Sequence, residues 1–361
     1  MRILAKKNIL KIKPYVPGKP IEEVKRELGL KDVIKLASNE NPYGPSPKVL
    51  KAISKEAQSI NRYPDGGCFY LREALSKHLK VSADQLIFGN GSDEIIVLAI
   101  HAFVNPGDEV VIARPSFLIY EIAAQIAGAK IKSIPLRNFR YDLPGMKKAV
   151  SPKTKIIFIG NPDNPASTYV THNEVVNFLK GIPRKILLFF DEAYYEFVSE
   201  KDYPDTLRLL KNYPNLIISR TFSKMYGLAG LRVGYGITTK ETADILNRIR
   251  EPFNVNSLAQ AATLACLKDR KYYQKIAQQI NQQKFSLYEN FEKMNLKYVK
   301  SATNFILLNI KKDSRQIANS LLKKGIIVRD MSFWGLKNFI RVTIGTKEEN
   351  DRFLKALKEI L

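Results

Sequence analysis

The sequence predicts an α/β fold: a large, mostly parallel α/β/α unit followed by a smaller α+β unit. Three observations carry this expectation. Short, nearly all-apolar runs recur at 86–88, 109–112, 155–159, 185–190, 216–219 and 232–237, and runs without polar alternation suit strands covered on both faces. Helix-period patterns lie between them at 93–103, 116–127, 173–179 and 240–249, and such alternation builds helices onto a parallel sheet. After Pro252 the pattern changes to two long helices, 258–267 and 271–294, then strand candidates at 305–309, 326–329 and 339–342 and a closing helix.

These patterns divide the chain into an N-terminal arm (1–30), a large unit (31–250) and a small unit (251–361). Residues 14–20, rich in proline, and residues 39–47 read as extended chain. Such segments need packing from elsewhere, so the arm is expected against the small unit or a second subunit.

At 361 residues, 45% of them hydrophobic and 10% aromatic, the chain can bury a large core. Cys68 and Cys266 lie far apart with no CxxC spacing, which points to neither a disulfide framework nor a structural zinc site. A reducing cytoplasm is the simplest compartment. His78, His101 and His172 have no metal-ligand spacing, so no metal is expected. The longest apolar stretch, 95–104, is about half of the ~20 residues a membrane span requires. Residues 1–10 place Arg2, Lys6 and Lys7 around an apolar run too short for a signal-peptide core, so no export is expected. Lysine and arginine number 58 against 35 aspartates and glutamates, a net charge of +23 that favours anionic partners. The basic residues are scattered and the aromatics form no nucleic-acid module, so solvation or steering of small anions is expected rather than nucleic-acid binding.

Chemistry concentrates at the ends of the apolar runs. Lys224 follows one of them, among Thr221, Ser223 and Arg232. A lysine used as a nucleophile must be desolvated or sit near another cation, and a strand end inside an α/β unit supplies burial. Alone, Ser-Lys also reads as surface chain. Asp191 closes the run 186–190, where a buried carboxylate needs a facing cation; alone it also reads as a helix cap. Tyr194 follows three residues later. Gly91, Ser92 and Asp93 lie between a strand and a helix, where backbone N–H groups form a phosphate seat or merely a turn. Asn164, before Pro165, is another strand-end polar group, and Phe117 at a helix start can stack on a flat cofactor or fill core. Arg329 and Arg341, on neighbouring strand candidates, form either an anion clamp or surface pairs.

The order and spacing of these groups resemble the fold-type I pyridoxal-phosphate aminotransferases from the arm to the last helix. Four stretches are similar in particular to the histidinol-phosphate aminotransferase family: 14–20, 39–47, 62–67 (Arg62-Tyr63-Pro64-Asp65-Gly66-Gly67) and 345–350. The resemblance implies a PLP-dependent transaminase and homodimer that moves an amino group between L-histidinol phosphate and 2-oxoglutarate. It places the cofactor Schiff base on Lys224, the pyridine-nitrogen partner at Asp191, and the ring-oxygen contacts at Tyr194 and Asn164. It places ring stacking at Phe117, and the cofactor phosphate at Gly91, Ser92, Asp93, Thr221, Ser223 and Arg232, with Tyr63 reaching in from a partner subunit. Tyr15, Asn39, Arg329 and Arg341 would contact the substrate. Relatives usually carry Thr-Gly where this chain has Ala166-Ser167, and often tyrosine where it has Phe117. An aromatic amino-acid aminotransferase, or a decarboxylase of threonine phosphate, would use the same scaffold. A basic binding protein without catalysis is a remoter reading.

Overall fold

The computed structural model describes residues 4–15 and 17–361; Arg2 of the N-terminal basic run and Val16 of the proline-rich stretch lie outside the described residues. The chain opens with α1 (Ile21–Leu28), β1 (Ile34–Leu36), α2 (Pro47–Glu56) and α3 (Phe69–Leu79). The central stretch runs β2 (Leu86–Gly89), α4 (Ser92–Phe103), β3 (Glu109–Arg114), α5 (Leu118–Ile126), β4 (Lys130–Pro135), α6 (Leu143–Lys148), β5 (Thr154–Gly160) and α7 (His172–Lys180). It continues through β6 (Leu187–Asp191), α8 (Thr206–Leu210), β7 (Leu216–Thr221), β8 (Gly234–Ile237) and α9 (Lys240–Ile249). The last part holds α10 (Ser257–Lys268), α11 (Arg270–Lys293), β9 (Lys297–Tyr298), β10 (Phe305–Asn309), α12 (Ser314–Lys323), β11 (Ile326–Asp330), β12 (Phe339–Thr343) and α13 (Lys347–Ile360).

Seven strands form the large sheet in the order β2-β8-β7-β6-β5-β3-β4. β4, β3, β5, β6 and β7 pair in parallel, and β8 runs antiparallel to both its neighbours. Burial on two sides explains the unbroken apolar runs. Ile157, Ile159, Leu188, Phe190 and Ile218 enter one core, while the alternate residues Ile156, Phe158, Leu187, Phe189 and Ile217 enter another. From β3 the chain steps outward to β4, then crosses back to β5 on the other side. That reversal opens a crevice at the carboxyl ends of the strands, the usual ligand position in such sheets.

The smaller sheet has the order β1-β11-β12-β10-β9. Its first strand corrects the sequence reading, which placed residues 31–250 together: Ile34–Leu36 pairs in parallel with Ile326–Val328. The reason is local packing, since Val24 of α1 buries itself against Val33, Ala37 and Ile327. α1 of the arm thus packs on the small unit as expected, whereas the start of the arm differs, because Asn8 donates to the carbonyls of Gln125 and Ile126 at 2.8 and 3.0 Å and so lies on α5 of the large sheet. β4 was missed because it is an edge strand whose residues are mostly only half-buried or exposed. No helix among the described residues is long and apolar enough to cross a membrane.

Candidate active site

The crevice is a cavity of about 270 Å³ between the carboxyl ends of the large-sheet strands and the small sheet. Its floor begins at the β2–α4 turn. Gly91 caps α4 with φ +80°, and a Cβ there would stand 2.6 Å from Arg232 Nη2. Gly234 is equally constrained, since its Cβ would meet the Ser92 amide nitrogen at 2.4 Å. Glycine is therefore needed at both positions for the helix start, β8 and Arg232 to converge. Arg232 approaches Ser223 Oγ at 3.4 Å and Asp93 Oδ2 at 3.2 Å, and Thr221 Oγ1 donates to Ser223 Oγ at 3.0 Å. Arg232 is not in the strand that the sequence suggested: it sits at φ +54° before β8 begins. Hydroxyls, a guanidinium and the amides at a helix start together make an anion seat.

Lys224 follows β7 and projects into the same cavity. Its Nζ donates to the Ser38 carbonyl at 3.1 Å and lies 5.8 Å from the centre of the Tyr194 ring. Burial, reinforced by the Arg341 cation, lowers its ammonium to about 8. Roughly a tenth of the side chain is then a neutral amine at pH 7, far more than for an exposed lysine.

Asp191 ends β6 and is 6% exposed. Burial pushes its carboxyl up to about 6 against the pull of its hydrogen bonds. Tyr120 donates to Oδ2 at 2.7 Å, while the Ala193 amide and Ser219 hydroxyl donate to Oδ1 at 3.1 and 3.4 Å. Behind it, Glu192 forms a buried ion pair with Arg220 at 2.8 Å, tying β6 to β7. Tyr194 accepts from Asn39 Nδ2 at 2.8 Å, and burial raises its phenol to about 12 although Arg341 opposes the shift. Asn39, at φ +56°, is itself held by Thr343 and Asn304.

The small sheet supplies the far wall. Arg329 and Arg341 are cross-strand partners on β11 and β12, so both project from one face. Arg341 donates to Asn164 Oδ1 at 2.5 Å and to the Ala37 carbonyl at 2.8 Å. Its buried Nε has no hydrogen-bond partner among the described residues, an unmet donor beside the cavity. Arg329 Cζ lies 5.9 Å from the Tyr15 ring and 5.0 Å from the Trp334 ring.

Tyr15, Asn39, Ser92, Asp93, Phe117, Asn164, Asp191, Tyr194, Thr221, Ser223, Lys224, Arg232, Arg329 and Arg341 all line this cavity. Gly91 stands behind the seat. Tyr63 does not join them: it is 84% exposed and stacks on Phe253 at 4.8 Å. Sequence reasoning missed Tyr120, Ser38 and Trp334. Tyr120 was accessible in principle, because it lies three residues after Phe117, within one helical turn. Among the described residues no cluster of three or more His, Cys, Asp or Glu could hold a metal ion.

An anion seat, a partly neutral lysine, a buried carboxylate and an aromatic wall fit one flat phosphorylated cofactor with a basic ring nitrogen. That is the donor set of a pyridoxal-phosphate enzyme. The model for aminotransferase class I and II matches residues 31–357, and the chain belongs to that family. It is 51% identical over 354 residues to a histidinol-phosphate aminotransferase of Moorella thermoacetica, covering 98% of this chain and 92% of that one. Its identity to the same-named protein of Caldicellulosiruptor saccharolyticus is 47%, over 97% and 98% of the two chains. Among solved structures, histidinol-phosphate aminotransferase from Sinorhizobium meliloti in complex with pyridoxal-5'-phosphate superposes with a TM-score of 0.90 at 28% identity, covering 99% and 98% of the chains.

Proposed function

We propose that this aminotransferase moves the amino group between L-histidinol phosphate and 2-oxoglutarate, giving imidazole-acetol phosphate and L-glutamate, as a step of histidine biosynthesis. The observation that carries the substrate reading is the arginine pair. Arg329 and Arg341 face one cavity with Lys224, and Arg341 keeps a buried N–H without a partner among the described residues. One clamp of this kind serves a phosphate in the first half-reaction and a carboxylate in the second. The names of the relatives agree with it.

When bound, pyridoxal phosphate supplies a carbonyl carbon for the amino group and a conjugated ring that takes up the electron pair left at the substrate α-carbon. Lys224 is the amine that would hold it. Released by the incoming substrate, the same amine would take the α-proton and return it at the cofactor C4′. Asp191, oriented by Tyr120, Ala193 and Ser219, would keep the pyridine nitrogen protonated. Tyr194 and Asn164 would hold the ring oxygen, and Phe117 would cover the ring face. Ser92, Asp93, Thr221, Ser223 and Arg232 would hold the phosphate with the amides that follow Gly91. Tyr15 and Asn39 would join the arginines around the substrate. The exposure of Tyr63 supports assigning it to the site of a second subunit in a homodimer. The unpaired, buried Cys68 and Cys266 suit a cytoplasmic enzyme.

The reading is tested by visible absorbance of cofactor-loaded protein, before and after L-histidinol phosphate, with phenylalanine and threonine phosphate in parallel. A spectral change with L-histidinol phosphate, followed by glutamate release on adding 2-oxoglutarate, is expected. A change with only one of the other amines would overturn the substrate.

A further inference from the structure

Trp334, the single tryptophan of the chain, stands where three parts of the site meet. It lies in the connection between β11 and β12, in a one-turn helix over Ser332–Trp334. That connection is pinned from below. Asp330 Oδ1 accepts from the Ser314 hydroxyl at 2.5 Å and from the Ser332 amide at 3.0 Å, while Oδ2 accepts from the Ser332 hydroxyl at 2.6 Å. Met331 beside it is fully buried. Trp334 then reaches out of the small sheet in two directions. Its ring sits 5.0 Å from Arg329 Cζ. Its Nε1–H donates to the Ser116 carbonyl at 3.2 Å, on the residue before Phe117. It also lines both the catalytic cavity and a neighbouring groove of about 390 Å³, and so forms part of the wall between them.

We propose that Trp334 is a positioning residue for the anionic end of the substrate, bracing Arg329 and fastening the β11–β12 connection to the segment that carries Phe117. Two physical effects act through one side chain. A guanidinium near an indole face is favoured electrostatically and loses side-chain freedom before the substrate arrives. The Nε1–H bond fixes the distance between the arginine on the small sheet and the aromatic wall on the large one. A substrate ending in phosphate uses that fixed distance, and one lacking the phosphate does not. Trp334 therefore raises selectivity for the phosphorylated substrate without touching the reacting atoms. This inference rests on the reading of Arg329 as a substrate contact.

The test compares L-histidinol phosphate with L-histidinol, which differs only in lacking the phosphate, on cofactor-loaded enzyme in single-turnover absorbance kinetics. Trp334→Phe keeps a ring near Arg329 and deletes the donor; Trp334→Leu deletes both. For L-histidinol phosphate the apparent affinity is expected to fall about fivefold in the first variant, an ordinary hydrogen bond, and about 30-fold in the second, where the half-buried cation–π contact is also lost. The limiting rate and the efficiency on L-histidinol should fall much less than the affinity for L-histidinol phosphate, so the ratio of the two substrates is the readout. Equal losses on both substrates would mean a merely structural role and overturn the proposal, as would no loss on either. A second readout does not depend on turnover. Titrating cofactor-loaded wild type with inorganic phosphate should change tryptophan fluorescence saturably, and Arg329→Gln should abolish the change. A wild-type fluorescence indifferent to phosphate would overturn the placement of Trp334. Failure of the wild type to act on L-histidinol phosphate at all would instead sink the substrate assignment.

Discussion

The anion seat and the arginine clamp do similar chemistry with different construction. The seat is built from the β2–α4 turn and the stretch from Thr221 to Arg232, two short segments joined by strands of one sheet. The clamp gathers Tyr15, Ala37, Asn164, Arg329, Trp334 and Arg341, so it draws on the arm, the small sheet and the large sheet. The seat is thus fixed as soon as the large sheet folds, whereas the clamp depends on how the small sheet and the arm dock. A permanent cofactor suits the first arrangement, and substrates that must enter and leave suit the second.

The contrast can be broken most severely at the lysine between the two regions. Lys224→Ala should lower kcat by about 10,000-fold or more while leaving the seat able to bind pyridoxal phosphate, as equilibrium dialysis would show. The same amine gives a pH signature in cofactor-free protein. With its ammonium lowered to about 8 by burial, the nucleophilic fraction grows tenfold per pH unit below that value. The rate of covalent cofactor capture, followed by absorbance, should rise with pH and level off above about 8.

On the clamp side, Arg341→Ala removes a buried charge that holds both Asn164 and the Ala37 carbonyl. The KM for both anionic substrates should rise about 30-fold or more, since truncating one partner of a buried, hydrogen-bonded charge costs at least about 2 kcal/mol. On the cofactor side, Tyr120→Phe deletes the 2.7 Å hydrogen bond to Asp191. That bond favours the ionised carboxylate, so its loss moves the Asp191 midpoint upward, by about one to two pH units if the bond contributes about 1.5–3 kcal/mol. Cofactor affinity should fall about tenfold near neutral pH, and fall further as the pH drops and Asp191 protonates. A Tyr120→Phe enzyme with unchanged affinity and pH profile would remove the tyrosine from the site. The smallest effect belongs to Ser167. It is fully buried at φ +66°, a left-handed conformation that favours glycine. Ser167→Gly should stabilise the fold by about 1 kcal/mol in urea unfolding without altering kinetics.

The seat was legible in the sequence because its parts follow strand ends that announce themselves as apolar runs. Asp191 and Lys224 could be placed at carboxyl ends of β6 and β7 for that reason. The clamp was legible only as two arginines on adjacent strand candidates, and the register that sets Arg329 opposite Arg341 is a property of the folded sheet. Trp334 and Ser38 carry no local signal, since each matters through a contact with a residue almost two hundred or more positions away. β1 was missed for a related reason: Ile34–Leu36 is too short to read as a strand until β11 lies beside it. Tyr63 stands outside the cavity of its own chain, and only the proposed dimer would give it a place in a site.

One lysine, three residues past the end of β7, is assigned the cofactor. The direct measurement is to load the protein with pyridoxal phosphate, reduce it with borohydride, and map the modified peptide by mass spectrometry. A phosphopyridoxyl group on the peptide containing Lys224, absent from Lys224→Ala, is the expected result. Modification of a different lysine, or stoichiometric cofactor binding with no reducible link, would contradict it.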